Sequence, residues 1–188
     1  PIPIVGLIAS SNFPDIISIA WGESPEKDII KYNLYSASSP SGKYEKIAEV
    51  NGTSYNDVVK QSGILKYYKV TSTDKDNLES QMQDIPTQGS TLSAPSRPKI
   101  VDAFMSEKSV HLKWQPTDAR ATSYILIKTT TSGLFAQDTL EITDIRKSEY
   151  IDSAISPNVK YEYQLVSVDK DGLRSNPTNS ISFKLEAN

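Results

Sequence analysis

The sequence predicts an all-β protein built as two consecutive seven-stranded antiparallel β-sandwiches, residues 1–90 and 97–188, joined by a linker at 91–96. Three observations predict it. The chain repeats itself once, its apolar residues alternate with period two in short runs, and turn residues break those runs about every ten positions.

The first matched run is Ile17-Ser18-Ile19-Ala20-Trp21 against Val110-His111-Leu112-Lys113-Trp114, which ends on the two tryptophans of the chain, 93 residues apart. Alternate strand residues share one face, and that face must be buried, so Trp21 and Trp114 are expected in the core. His111, the single histidine, falls on the opposite face and reads as a solvent-facing strand residue. A second alternating run follows in each copy, around Tyr32-Asn33-Leu34 and Tyr124-Ile125-Leu126. Ser39-Pro40-Ser41-Gly42 and Asn51-Gly52 then mark turns, the latter as a pair tolerant of positive φ. Beyond them, Thr53-Ser54-Tyr55-Asn56-Asp57 matches Lys147 to Asp152 through its Tyr and Asp.

After a further turn at Gln61-Ser62-Gly63, the run from Tyr68 to Ser80 matches Tyr163 to Ser175 at an unbroken offset of 95 residues, repeating Asp-Lys-Asp-x-Leu-x-Ser. These runs are five to eight residues long and rich in Ile, Val, Tyr and Thr, which suits a pleated, half-buried surface. The Ser/Pro stretch from Gly89 to Pro98 has no periodicity and reads as the connection between copies.

Composition narrows function by exclusion. At 37% hydrophobic and 23% charged, the 188 residues can bury a core, and a formal charge of −3 provides no broad positive field for nucleic acid or anionic lipid. With no cysteine and one histidine, neither a disulfide framework, a thiolate metal site, a histidine-based metal cluster nor a Cys-His triad can be built. The Asp74/Asp76 and Asp169/Asp171 pairs lack a recognisable calcium loop and read as solvated turn residues. No phosphate loop, nucleophile elbow or zinc motif occurs, so no catalysis, cofactor or metal is expected. The start, Pro1-Ile2-Pro3-Ile4-Val5, has no initiator Met and no basic region or cleavage site of a signal peptide, so it reads as an excised mature segment that leaves room for an export signal or lipid anchor upstream.

On these residues the sequence resembles the fibronectin type III family over essentially its full length. That family places its core Trp on strand B, as Trp21 and Trp114 stand here, and carries a Tyr at the start of strand F whose hydroxyl closes a corner, a role the resemblance gives to Tyr161. In the first copy Lys66 stands at that offset, so its corner is expected to be missing or shifted. The tandem is similar to modules of bacterial surface lipoprotein adhesins. This implies a monomeric, non-catalytic adhesion protein, extracellular or anchored at the outer membrane, binding a host matrix glycoprotein such as fibronectin. Two other roles share the resemblance: spacer modules of a secreted carbohydrate-active enzyme, and a structural component of an envelope assembly.

Two sites follow. Residues 1–90 carry net charge −3 and no arginine, whereas residues 97–188 carry net charge 0 and all four arginines. Following the family's strand order, Arg120, Arg146 and Arg174 fall in three loops at one pole of the second module, where they could meet a partner or the neighbouring module. Arginine's planar fork suits carboxylates and aromatic faces. The other site is Asn51, which with Gly52 and Thr53 forms an Asn-x-Thr glycosylation acceptor preceded by the acidic Glu49.

Overall fold

The computed structural model describes residues 1–134 and 136–186, and among them every regular element is a strand. The chain divides between Ser93 and Ala94 into two units. Of the residues read as a linker, Thr91 and Leu92 are tied to the first unit, the Thr91 N–H donating to the Ile64 carbonyl and that of Leu92 to the Phe13 carbonyl. Ser96 is tied to the second, its N–H donating to Asp118 at 2.9 Å.

In the first unit β1 (Ile8–Ala9), β2 (Ile16–Ala20) and β5 (Ser54–Val58) form one antiparallel sheet. The other sheet has the order β4 (Glu45–Val50), β3 (Ile29–Ala37), β6 (Leu65–Asp74), β7 (Thr87–Ser90). The second unit repeats this with β8 (Lys99–Met105), β9 (Val110–Gln115) and β12 (Glu149–Asp152) against β11 (Ala136–Ile145), β10 (Ala121–Ser132), β13 (Val159–Asp169) and β14 (Ile181–Lys184). Each unit thus packs three strands on four, in the seven-strand count expected from the repeat.

Period-two alternation makes the cores. Ile17 and Ile19 of β2 face Tyr32 and Leu34 of β3 and Tyr68 and Val70 of β6, with Trp21 at one end, 5% exposed. Val110 and Leu112 face Tyr124, Leu126, Tyr163 and Leu165, with Trp114 2% exposed. Each Trp meets a β3 or β10 tyrosine edge-on, Trp21 with Tyr32 at 5.8 Å and Trp114 with Tyr124 at 5.4 Å. Among the described residues neither buried indole N–H has a hydrogen-bond partner, so what the tryptophans contribute is apolar contact and ring geometry. Emptying either site costs about 3–5 kcal/mol.

Turn chemistry is conserved where the residue is not. The turn before β6 has Gly63 at φ +70°, and the matching turn before β13 has Asn158 at φ 62°; likewise Asn77 at 62° matches Gly172 at 80°. Gly and Asn are the residues that enter the left-handed region at least cost. Asn51-Gly52 departs from the sequence reading. It connects β4 to β5, strands of different sheets, and neither residue has positive φ. It is a crossover between sheets, because β4 must leave β3 to reach β2's partner position, and a hairpin turn is not formed there.

Candidate protein-binding surface

The three loop arginines stand at one end of the second unit because the register brings their strand ends together. Ala121 pairs with Asp169, Tyr124 pairs with Ile145, and Val168 bridges Arg174. That places Arg120 just before β10, Arg146 just after β11 and Arg174 beyond β13 at a common edge. Each guanidinium meets a carboxylate of its own unit. Arg120 lies 2.6 Å from Asp169, Arg146 3.1 Å from Asp144, and Arg174 3.1 Å from Glu141. The charge patch expected from counting arginines is therefore largely neutralised, since the strands bring acids to the same edge.

The three pairs differ in what they can do. The Asp169 side chain is 2% exposed against 34% for Arg120, so that pair is part of the architecture. Burial pushes the Asp169 carboxyl up, but Arg120 and the N–H groups of Leu173 and Asp171 outweigh it and hold the carboxyl below its usual range. Arg146 and Asp144 are 77% and 71% exposed, and Arg174 and Glu141 are about half exposed. Exposed pairs of this kind contribute about 0–1 kcal/mol.

The Asp-Lys-Asp loops also depart from the expectation of solvated turns. Asp74 and Asp169 are 8% and 4% exposed, and each accepts two backbone N–H bonds at 2.9 Å, from Asp76 and Leu78 and from Asp171 and Leu173. Their carboxylates are consumed in shaping the turn, because a tight turn leaves N–H groups that nothing else reaches. Asp76 and Asp171 are exposed. Among the described residues no group of three or more His, Cys, Asp or Glu is placed to hold a metal ion.

His111 is half-buried. Its ring stacks on Phe104 at 4.6 Å and its Nε2 lies 2.8 Å from the Ser109 hydroxyl, a cross-strand pair in which the imidazole serves as a flat apolar surface.

Sequence reasoning missed an ionic cluster in each unit, buried in the second and half-buried in the first. Asp152, at the end of β12, accepts from the Tyr163 hydroxyl at 2.6 Å and from the Ala154 N–H at 2.9 Å, and its Oδ2 lies 2.6 Å from Lys128 Nζ. Lys128 also donates to the Ala154 carbonyl at 2.7 Å and lies over the Tyr161 ring at 4.9 Å. The Tyr161 hydroxyl in turn accepts the Ser156 N–H at 2.6 Å, closing the corner before β13. In the first unit the same carboxylate position is Asp57, taking Tyr68 at 2.8 Å and Lys66 at 2.7 Å. Lys66 occupies the position of Tyr161, and the register puts Ser36 where Lys128 stands. The first unit gives up the tyrosine corner and draws its cation from β6 instead of β3. The signal was the Asp recurring 95 residues apart after a shared Tyr.

The outer faces of the four-stranded sheets differ. In the first unit Asn33, 1% exposed, donates to Thr73 and Glu79 at 3.0 Å and accepts from Lys46 at 3.0 Å, while Tyr35 donates to Glu79 at 2.6 Å and Thr71 donates to Glu79. In the second unit those positions are Ile125, Val168, Ile127 and Val166, and the pair above them is inverted: Arg174 replaces Glu79 and Glu141 replaces Lys46. Asn51 stands apart from all of these, exposed on the crossover, on an open cleft of about 410 Å³ that Glu23, Glu26 and Lys27 also line.

Two sandwiches of three strands on four, each with a Trp at the end of its second strand, define the class. The order of first, second and fifth strands against fourth, third, sixth and seventh is that of the fibronectin type III fold, and the chain is a tandem of two sandwiches of that fold. No protein-family model matches the chain, and no curated protein does. Among solved structures it is similar to a two fibronectin type-III domain segment from chicken tenascin, at 23% identity and TM-score 0.43 over 97% of this chain and 99% of that one. It is similar to the FN1-FN3 domains of chicken CNTN1, at 10% identity and TM-score 0.44 over 99% of this chain and 65% of that one. A Fn3-like protein from Clostridium thermocellum matches 48% of this chain and 93% of its own, at 22% identity and TM-score 0.43.

Proposed function

We propose that this chain is a non-catalytic binding tandem displayed outside a bacterial cell or on its surface, and that its second module docks a host matrix glycoprotein such as fibronectin through Arg146 and Arg174. The observation that carries this reading is the shared edge of the second module. There two exposed guanidinium groups sit on acids weak enough in their hold to be displaced. Arg120 takes a different part from its expected one. Its guanidinium is committed to a buried Asp169 and positions the edge. Asn51 is the proposed glycan acceptor of the first module, exposed and outside any strand.

The test is binding of the full chain to immobilised plasma fibronectin, comparing the parent with Arg146→Ser/Arg174→Ser. Loss of two charge-assisted contacts should weaken binding about tenfold, near 1.4 kcal/mol, with the parent's affinity falling as salt rises. Binding by the double variant equal to the parent, or no measurable binding by the parent, removes the arginine edge as the docking surface and leaves the tandem as a spacer.

A further inference from the structure

We propose that Asn51 is a site of spontaneous chemical conversion, its side-chain amide passing without an enzyme to aspartyl and isoaspartyl forms through a cyclic imide made with Gly52. The crossover between β4 and β5 leaves the pair outside both sheets, and both residues are exposed. Neither the Asn51 carboxamide nor the Gly52 N–H has a hydrogen-bond partner among the described residues. A Cβ built at Gly52 would meet nothing within 4 Å, so the five-membered ring has room to close. Glycine also leaves its own nitrogen unshielded and its backbone free to reach the attacking conformation.

The steps balance without a co-reactant other than water. The Gly52 nitrogen, having lost its proton to solvent base, attacks Cγ of Asn51; the bond from Cγ to Nδ2 breaks, and the amide nitrogen leaves as ammonia. Water then opens the imide at either carbonyl. Opening on one side restores the ordinary main chain with an aspartyl group at position 51, and opening on the other threads the main chain through the former side chain.

No other asparagine of the sequence is followed by glycine. Asn33 is buried with both ends of its carboxamide bonded and is followed by Leu34. Asn77 and Asn158 hold tight-turn positions with positive φ and are followed by Leu78 and Val159, whose side chains shield the attacking nitrogen.

Two consequences follow. Conversion puts a carboxylate on the cleft that already carries Glu23 and Glu26. The isoaspartyl form lengthens the main chain just ahead of Thr53, whose carbonyl accepts the Trp21 N–H at 3.0 Å, so the modification is felt at the core tryptophan. Conversion also consumes the nitrogen on which a glycan would be built, so the two fates of Asn51 exclude one another.

The experiment incubates the purified full chain in mildly alkaline buffer at physiological temperature and follows the peptide containing residue 51 by mass spectrometry, with isoaspartyl methyltransferase labelling. Asn51 should convert well ahead of Asn33, Asn77 and Asn158, with isoaspartyl product present. Gly52→Ala, which folds because its methyl enters open space, should slow conversion about tenfold or more, equivalent to about 1.4 kcal/mol in the barrier. Thr53→Ala, which abolishes the glycan acceptor, should leave the rate within about twofold. Persistence of the Asn51 amide through an incubation that converts an unstructured peptide of the same sequence overturns the proposal. So does conversion of Gly52→Ala at the parental rate.

Discussion

Replacing Lys128 with Met removes a charge from the interior while keeping the length of the stem. The Lys128 and Asp152 side chains are 8% and 5% exposed, with Nζ and Oδ2 2.6 Å apart. The variant strands the Asp152 carboxylate with the Tyr163 hydroxyl and the Ala154 N–H as its remaining partners. Leaving a buried charge without its counter-ion costs about 3–5 kcal/mol. A domain of this size shifts by about 4–8 °C per kcal/mol, so its melting midpoint should fall by at least about 12 °C. The matching change in the first module, Lys66→Met, removes a cation from a pair that is 28% and 13% exposed, where water takes up part of the loss, so about 1–2 kcal/mol is expected. Urea unfolding of the full chain would read both, with Trp21→Phe and Trp114→Phe backgrounds giving one fluorescent reporter per module. Adding Asp152→Asn to Lys128→Met should recover much of the loss, because a neutral amide still accepts from Ala154. A cost below about 1 kcal/mol for Lys128→Met, or a larger cost for Lys66→Met, would show that burial does not set the strength of these pairs.

Stability should fall in alkali. Burial first, and then bonds to Asp57, Asp152 and Glu79, push the hydroxyls of Tyr68, Tyr163 and Tyr35 above the ordinary 10.0, that of Tyr35 to about 12. Folded values above unfolded ones mean a contribution complete below pH 10 and lost as pH climbs beyond it, and Tyr68→Phe/Tyr163→Phe should flatten that fall in pH-dependent urea titrations. In acid the sign reverses for Asp169, held below its ordinary 3.8, whose contribution is present above that pH and lost below it. Gly89→Ala should destabilise the first module by about 1–3 kcal/mol in the same assay, because its methyl would sit 2.7 Å from Ile17 and 2.8 Å from Ala9.

The strands were legible because period-two alternation is a local property. Ile17, Ile19, Val110 and Leu112 declare a buried face whatever the rest of the chain does, and the repeat then fixes the strand count. The arginines were legible by position, since antiparallel order sends Arg120, Arg146 and Arg174 to one edge. Two of their partners were not, because Asp169 and Glu141 lie 49 and 33 residues from Arg120 and Arg174 and meet them through register, whereas Asp144 stands two residues from Arg146. The ionic clusters were hidden for the same reason. Lys128 reads as an ordinary strand lysine until Asp152 is folded onto it, and the exchange of Lys66 for a tyrosine looks like loss of a motif when it is relocation of a charge. Asn51-Gly52 misled as a turn because residue preference carries no information on which sheet the next strand joins.

The inverted pair on the outer sheets bears on how a chain with an internal repeat folds to one outcome. Tandem modules of like sequence risk exchanging equivalent strands while both are incompletely formed. Here a fourth strand from the first module, bringing Lys46, would meet Arg174 if it docked in the second, and one from the second, bringing Glu141, would meet Glu79 in the first. Each hybrid sets like charges together. A hybrid that inserts the third strand also places Asn33 among Val166 and Val168, or Ile125 among Thr71 and Thr73, leaving polar groups without partners. Only the parental combinations satisfy both faces. The sheets therefore carry a mutual identity check, written where the two copies differ and absent from the alternating core that they share.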